Sequence, residues 1–380
     1  MPQDPSATQD VVVIGGGVIG LAVAWRAAQG GRTVRVLERG QLGGGASHVA
    51  AGMLAPVTEA DPGELALLEL GLRSAEAWPG FAEELRQASG IDPGLRECGA
   101  LVVARDRDEA QALERELELR RGLSLGVERL VASVARRLEP ALAPTIRLAL
   151  AVPGDHATDP RATVTALAEA GRRVGVVLCT GKTVERIHSE GARITGVEVD
   201  GDVIATEHVV VAAGAWSGAV GGLPNVALRP VKGQIVRLRD PHGPGLLDRI
   251  VRFDGGYLVP RGDGRYVLGA TMEERGFDET VTAGGLYELL RDAGELVPGI
   301  HELVVEELAA GLRPSTPDNA PLLGRDAEIE GLIWATGHHR NGILLTPVTA
   351  DIVVAALDGD CDRASAAAAF APNRFEHVVA

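Results

Sequence analysis

The chain has 380 residues, 46% of them hydrophobic, and a mean hydropathy of +0.10. That length exceeds the usual single domain, and the apolar content supplies a sizeable core and excludes a disordered chain. A formal net charge of −15 repels polyphosphate backbones and argues against a nucleic-acid partner.

Cys98, Cys179 and Cys361 lie far apart with no CxxC spacing. They supply neither a disulfide framework nor a zinc site, and they fit a reducing compartment. Residues 1–10 are polar and acidic, without the basic-then-apolar order of a signal peptide. The most apolar stretch, Val11 to Trp25, is too short to span a bilayer and is interrupted by glycines. A soluble cytoplasmic protein with no membrane partner is the expectation.

The first elements carry the strongest signal. Val11 to Ile14 are apolar β-formers that end in Gly15-Gly16-Gly17-Val18-Ile19-Gly20, and an apolar run follows. A second apolar strand, Val34 to Leu37, closes on Glu38. In the spacing Gly15-x-Gly17-x-x-Gly20 the first glycine makes the strand-to-helix turn and the second admits a pyrophosphate to the backbone. The third lets helix and strand pack closely. Phosphates favour a helix N-terminus, and Glu38 is placed to accept from ribose hydroxyls. The motif points to a dinucleotide and leaves NAD and FAD open.

After Glu38, residues 40–48 read as a glycine-rich loop, and residues 49–56 are small enough for close backbone approach to a flat group. Residues 64–90 read as a helix ending near Gly90. Ala100 to Ala104 is a short strand. Glu109 to Arg121 reads as a charged helix with a Glu116–Arg120 pair, taken as a solvated face. Residues 127–152 mix short helix and strand. Thr158 or Asp159 caps a helix with Pro160 in its first turn and Gly171 at its end. Strands are expected at Val174 to Leu178, Lys182 to His188 and Arg193 to Val199. Asp200-Gly201 then turns into Val203 to Thr206. Val209 to Ala213 reads as a buried parallel strand stopping at Gly214. From Pro230 the texture is antiparallel: Gly233 to Leu238, Gly256 to Pro260, Arg265 to Met272 and His301 to Leu312, interrupted by a helix over 282–293. A strand at Leu332 to Thr336, a turn rich in Gly and His, and a long helix end the pattern. The plan is a dinucleotide domain in three pieces (1–95, 150–228 and 314–380). A second domain is inserted twice (96–149 and 229–313).

Chemistry concentrates late in the chain. A two-residue Asp263-Gly264 turn would pair Tyr257 with Ala270 and put Met272 on the face of Tyr257. Such a pair is more often core than site. Arg313 follows an apolar strand and is held extended by Pro314, and Arg340 sits in a Gly/His turn. Each arginine has two readings, a structural ion pair or a fork for a substrate carboxylate. His338-His339 lacks the other members of a metal set. No GxSxG elbow supports a serine hydrolase.

Several of these motifs together resemble the D-amino-acid-oxidase superfamily of FAD amine oxidases, and within it the glycine oxidases of bacterial thiamine biosynthesis. The carriers are GGGVIG with Glu38-Arg39, AAGML at 50–54, AAGAWS at 212–217, GQIVRL at 233–238 and YLVPR at 257–261. Further on are GATME at 269–273, GLRPSTPDNAPLLGR at 311–325 and GHHRNGILLTPVTA at 337–350. The resemblance implies an α/β FAD-binding Rossmann-like domain of the glutathione-reductase type with an inserted α+β antiparallel-sheet substrate domain.

It also implies noncovalent FAD, since no cysteine matches the covalent-flavin position of sarcosine oxidases. Beside Gly15, Gly17 and Gly20, the residues Val18, Ile19, Glu38 and Arg39 would hold the adenosine and phosphate end. Ala46, Ser47, Ala51, Gly52 and Met53 would line pyrophosphate and flavin, with Gly214 nearby, and the main chain of Lys182 would meet the adenine. His338, His339, Arg340, Asn341, Gly342, Ile343 and Leu344 would pass by the isoalloxazine. Arg313 would clamp the substrate carboxylate and Tyr257 would hydrogen-bond it. Arg340 would lie beside the substrate, with Met53 and Met272 as packing walls.

The implied reaction is hydride transfer from glycine or another small amino acid to flavin N5, with O2 as acceptor, giving an imine, H2O2 and then glyoxylate and ammonia. No protein base is required. The glycine imine could instead feed the thiazole of thiamine. A D-amino-acid or sarcosine oxidase or dehydrogenase of the same superfamily is the alternative, and a homotetramer is implied by resemblance alone. Gly255, Gly256 and His339 depart from the usual pattern and bear on pocket size.

Overall fold

The computed structural model describes residues 9–360 and 365–375, so Cys361 and residues 1–8 lie outside the described residues. Strand β1 (Gln9–Ile14) lies between two parallel neighbours, β2 (Val34–Glu38) and the ten-residue strand Asp202–Val211. Val11 to Ile14 are all buried because both faces of the sheet are covered. Helix α1 (Val18–Gln29) buries Leu21, Val23 and Trp25 between the helices Pro160–Arg173 and Thr346–Asp358.

The full order of this sheet is Leu322–Arg325, Leu332–Thr336, Asp202–Val211, β1, β2 and Val177–Thr180. Its only antiparallel pair along this path is Leu322–Arg325 with Leu332–Thr336. The expected strands at Val203 to Thr206 and Val209 to Ala213 are one strand. Its first half alternates buried and exposed against the hairpin Val184–Glu190/Arg193–Val199, and its end is buried throughout. One strand thus serves a half-covered sheet and a fully covered one.

The second sheet runs Val304–Ser315, Arg229–Arg239, Arg265–Gly269, Gly256–Pro260, Ile250–Phe253, Ala100–Ala104, Leu148–Val152 and Glu128–Val131. It joins two distant stretches of chain through one parallel pair, Ala100–Ala104 with Ile250–Phe253. Helix Ala283–Leu296 covers one face with Leu289, Ala293 and Leu296, over Leu101, Val251, Leu258 and Leu268.

Several local expectations shift. The Gly256–Arg265 hairpin closes through three residues, Gly262-Asp263-Gly264, with φ +82° at Gly262 and +83° at Gly264. Arg261 N–H donates to Arg265 O at 2.8 Å, so Tyr257 pairs with Gly269 rather than Ala270. The extra residue lets two glycines take the left-handed region a tight loop needs. The strand stops at Gly269, which leaves Met272 outside it and 64% exposed. Ile250–Phe253 was missed because four residues are too few to show a period. His301 belongs to a 3₁₀ turn, and its strand starts at Val304. The helix capped by Asp159 runs past Gly171 to Arg173, and the next strand begins at Val177.

Candidate functional site

A cavity of about 1340 Å³ runs from the β1–α1 turn to the inner face of the second sheet. At its first end, the glycine turn is fixed by backbone geometry. Gly15 has φ +109°, and a Cβ there would collide with the carbonyl of Ala212, just past the end of the neighbouring strand. Gly17 is the N-cap of α1, with no side-chain cap and no acid in the first turn. The positive end of the helix carries no acid of its own and opens on the cavity, the arrangement that suits a pyrophosphate. Gly20 does not line the cavity. It lies against Gly15 O so closely that a Cβ would have no room, as helix-to-strand packing requires.

Glu38 ends β2 and its carboxylate braces this turn. Oε2 accepts from Gly16 N–H at 2.7 Å and Oε1 from Gly40 N–H at 2.8 Å. Ser47 Oγ accepts from Val18 N–H at 3.0 Å, which ties the 44–49 segment to the helix start. The Arg39 guanidinium stacks 3.7 Å from the centroid of Trp216, and Trp216 meets Phe277 at 5.8 Å. Lys182 N–H donates to Glu38 O at 2.9 Å and its ammonium pairs with Asp200 at 2.5 Å, so its side chain turns away to the surface. Thr183 and Gly214 also line this end.

Midway, Ala46, Ala51, Gly52 and Met53 line one wall and the 338–343 turn lines the other. Gly52 has φ +82° and sits against Thr158 O, and Thr158 N–H donates to Gly52 O at 2.8 Å. Leu344, expected in the lining, is buried away from it. Its carbonyl accepts from Ser74 Oγ at 2.6 Å and Trp78 Nε1 at 2.8 Å. The turn leads into helix Thr346–Asp358, whose positive end adds to the field on this wall.

His338 and His339 are both buried, and burial holds each imidazole neutral, pushed down to about 3. Arg313, Arg340 and Arg229 add to the effect on His339. The His338 Nε2 lies 3.0 Å from Thr349 Oγ1 and the His339 Nδ1 lies 3.0 Å from Ser315 Oγ. The ring nitrogens thus engage hydroxyls.

At the far end Tyr257 and Arg313 stand together on the second sheet. Arg313 Nη1 donates to Thr271 O at 3.1 Å and Lys232 O at 3.3 Å. Tyr257 is half-buried; desolvation of its phenol raises it, and the Arg313 charge pulls it back. Two glycines make this possible. A Cβ on Gly233 would overlap the Arg313 guanidinium, and one on Gly269 would come within 2.8 Å of Tyr257 Oη. The sequence reading gave Gly233 and Gly269 no role, although each stands in a strand, where a glycine signals close approach. Met272 lines the cavity from the loop beyond.

Arg340 points at this compartment but is already engaged. Its Nε lies 2.9 Å from Glu59 Oε2 and its Nη2 lies 2.9 Å from Glu64 Oε2. Of the two readings left open, the ion pair is what the folded chain contains. Helix Arg107–Gly122 also departs from expectation. Arg120 is 1% exposed, and besides Glu116 it donates to Val57 O and Thr58 O, both at 2.8 Å. Asp155 accepts from the N–H groups of Val57 at 3.1 Å and Thr58 at 2.7 Å, and Arg252 donates to Thr58 O at 2.6 Å. Burial pushes the Asp155 carboxyl up to about 6. Charged groups thus grip both faces of the short segment that delivers Glu59.

The cavity is long, meets the N-terminus of α1 and the Glu38 carboxylate at one end, and holds the half-buried Tyr257–Arg313 pair at the other. These features fit FAD, which the second wall at 338–343 favours over NAD. The chain is 38% identical over 347 residues to a glycine oxidase of Geobacillus kaustophilus, covering 90% of this chain and 91% of that protein. It is 35% identical to a glycine oxidase of Bacillus licheniformis, covering 97% and 98%. The crystal structure of glycine oxidase from Geobacillus kaustophilus superposes with a TM-score of 0.88 at 37% identity, covering 97% of this chain and 99% of that one. A family described as FAD dependent oxidoreductase matches residues 10–356. The chain belongs to the DAO family of FAD dependent oxidoreductases.

Proposed function

We propose that this protein oxidises glycine, and with it small amines such as sarcosine and small D-amino acids, to the imine. The observation that carries the reading is the half-buried Tyr257–Arg313 pair at the end of a cavity suited to FAD, set in a chain similar to glycine oxidases. Arg313 binds the substrate carboxylate bidentately, and Tyr257 donates to one of its oxygens. Gly233 and Gly269 keep the two side chains in that position. Neutral His338 and His339 leave the flavin wall uncharged by imidazole. No side chain is assigned as a base, because holding Cα–H toward the acceptor supplies the acceleration by orientation. When bound, FAD would supply the two-electron acceptor for the hydride, with O2 as final acceptor, and the balance is glycine, O2 and water to glyoxylate, ammonia and H2O2.

In this reading residues 1–95, 150–228 and 314–380 hold FAD without a covalent link, and residues 96–149 and 229–313 form the substrate domain. In the same reading the imine supplies thiazole synthesis, and the chain acts in the cytoplasm as a homotetramer. Among the described residues no helix is long and apolar enough to cross a membrane.

Anaerobic mixing with glycine tests the reaction. Bleaching of the yellow flavin band supports an amine oxidoreductase, and persistent colour with glycine, sarcosine and D-alanine rejects it. Ranking O2 consumption by kcat/KM across those amines then separates a glycine oxidase from a D-amino-acid or sarcosine oxidase.

A further inference from the structure

Three arginines line the substrate end of the cavity, Arg252, Arg313 and Arg340. Arg252 donates to Thr58 O at 2.6 Å, and the surroundings of the other two differ. Among the described residues Arg313 has no carboxylate within ion-pair distance, and the partners of its Nη1 are main-chain carbonyls. Arg340 faces two carboxylates, Glu59 and Glu64, each at 2.9 Å. The Arg340 side chain is 26% exposed, against 12% for Glu59 and 14% for Glu64, so little solvent screens the triad.

The triad is held from outside itself. Asn319 Nδ2 donates to Glu64 Oε1 at 2.9 Å. The segment before Glu59 is gripped by Asp155, Arg120 and Arg252. Both groups act on one compartment. Arg313 and Glu59 influence Tyr257 in opposite directions, and Arg313 and Arg340 both depress His339. Glu59 and Arg340 line the cavity and Glu64 stands behind them, so one guanidinium meets two carboxylates beside the compartment that holds Arg313.

We propose that Glu59 and Glu64 determine specificity by occupying Arg340: they leave Arg313 as the carboxylate-binding cation of the pocket and give the Arg340 side an excess of carboxylate. The substrate class is then amino acids with a single carboxylate, and a second carboxylate is rejected. Rejection combines like-charge repulsion with the absence of a free fork, the repulsive half of a specificity device. The inference rests on the amine-oxidase reading for its reaction but concerns charge selection in the pocket, which binding alone reports.

The test uses purified holoenzyme and two measurements. Titration with acetate and malonate, followed by the flavin absorbance shift, reads binding. Turnover of D-alanine and D-aspartate reads selection. Wild type is expected to favour acetate and D-alanine. Glu59→Gln is expected to raise the malonate-to-acetate affinity ratio about ten-fold, with the turnover ratio moving alike, chiefly through KM. Glu64→Gln is the second variant and should shift the ratios in the same direction. Adding Arg340→Gln to Glu59→Gln should cancel the gain, an effect that general loosening of the pocket would not produce. Unchanged ratios in both single variants, or a gain that survives the loss of Arg340, overturn the proposal. A wild type that prefers malonate does so too. Acetate-selective binding without bleaching by glycine or D-alanine would support charge selection and reject the amine-oxidase reading.

Discussion

Arg313 depends on a residue eighty positions earlier. Gly233 lies where any Cβ would overlap the guanidinium. Replacing Arg313 by Ala is expected to lower kcat/KM for glycine by roughly 2–5 kcal/mol while FAD stays bound, measured by O2 consumption and the flavin-to-protein absorbance ratio. Gly233→Ala isolates geometry from charge. The colliding atoms are the far end of a flexible side chain, so the fold can absorb the methyl while Arg313 moves. A thermal midpoint close to wild type with kcat/KM for glycine down roughly 10- to 100-fold is expected. A normal kcat/KM would show that the guanidinium position does not matter. Tyr257 depends on Gly269 in the same way.

At the scale of elements, the β1–turn–α1 unit divides its glycines between folding and binding. Gly20 packs on Gly15 O with no room for a Cβ, and both contacting groups are backbone. Gly20→Ala therefore has to push the helix off the turn. A loss of about 1–3 kcal/mol in the urea-unfolding free energy of the apoprotein is expected, together with lower flavin content. Gly17 has only Ser47 Oγ near its would-be Cβ, at 3.4 Å, and it lines the cavity. Gly17→Ala should leave apoprotein stability nearly unchanged and weaken FAD retention, measured by flavin release on dilution. Equal effects of the two substitutions on apoprotein stability would refute this division.

Across the whole molecule, the groups that hold the cavity together titrate with opposite signs. His338 and His339 ionise near 3 when folded, against 6.5 when free. The unfolded chain takes up protons at these positions first, so their contribution to stability is lost as pH falls below 6.5. Asp155 ionises near 6 when folded, against 3.8 when free. The folded chain holds that extra proton between the two values, so this group favours folding increasingly as pH falls from 6 to 4. Its full span is on the order of 3 kcal/mol, at about 1.4 kcal/mol per pH unit. The urea midpoint should therefore drop between pH 7 and pH 5, and Asp155→Asn, which lacks the offset, should drop more steeply. A shallower drop in Asp155→Asn would contradict the sign assigned to Asp155.

The sequence by itself determined the dinucleotide turn, the two sheet textures and the positions of the motifs around the cavity. These are local properties: a strand, a turn and a helix obey periodicities and glycine requirements that a window of twenty residues displays. Glu38 and the 338–343 turn were legible for that reason. Only the tertiary structure decided which charges meet. Arg340 pairs with Glu59 and Glu64 across more than 270 residues. Arg120 leaves the surface its helix seemed to offer and grips Val57 and Thr58 from across more than 60. No period or spacing encodes such pairs, because burial makes an unpartnered charge costly and packing alone selects the partner. The hairpin register followed the same logic. One residue more in the turn than expected set Tyr257 over Gly269, where the absence of a side chain gives its hydroxyl room beside Arg313.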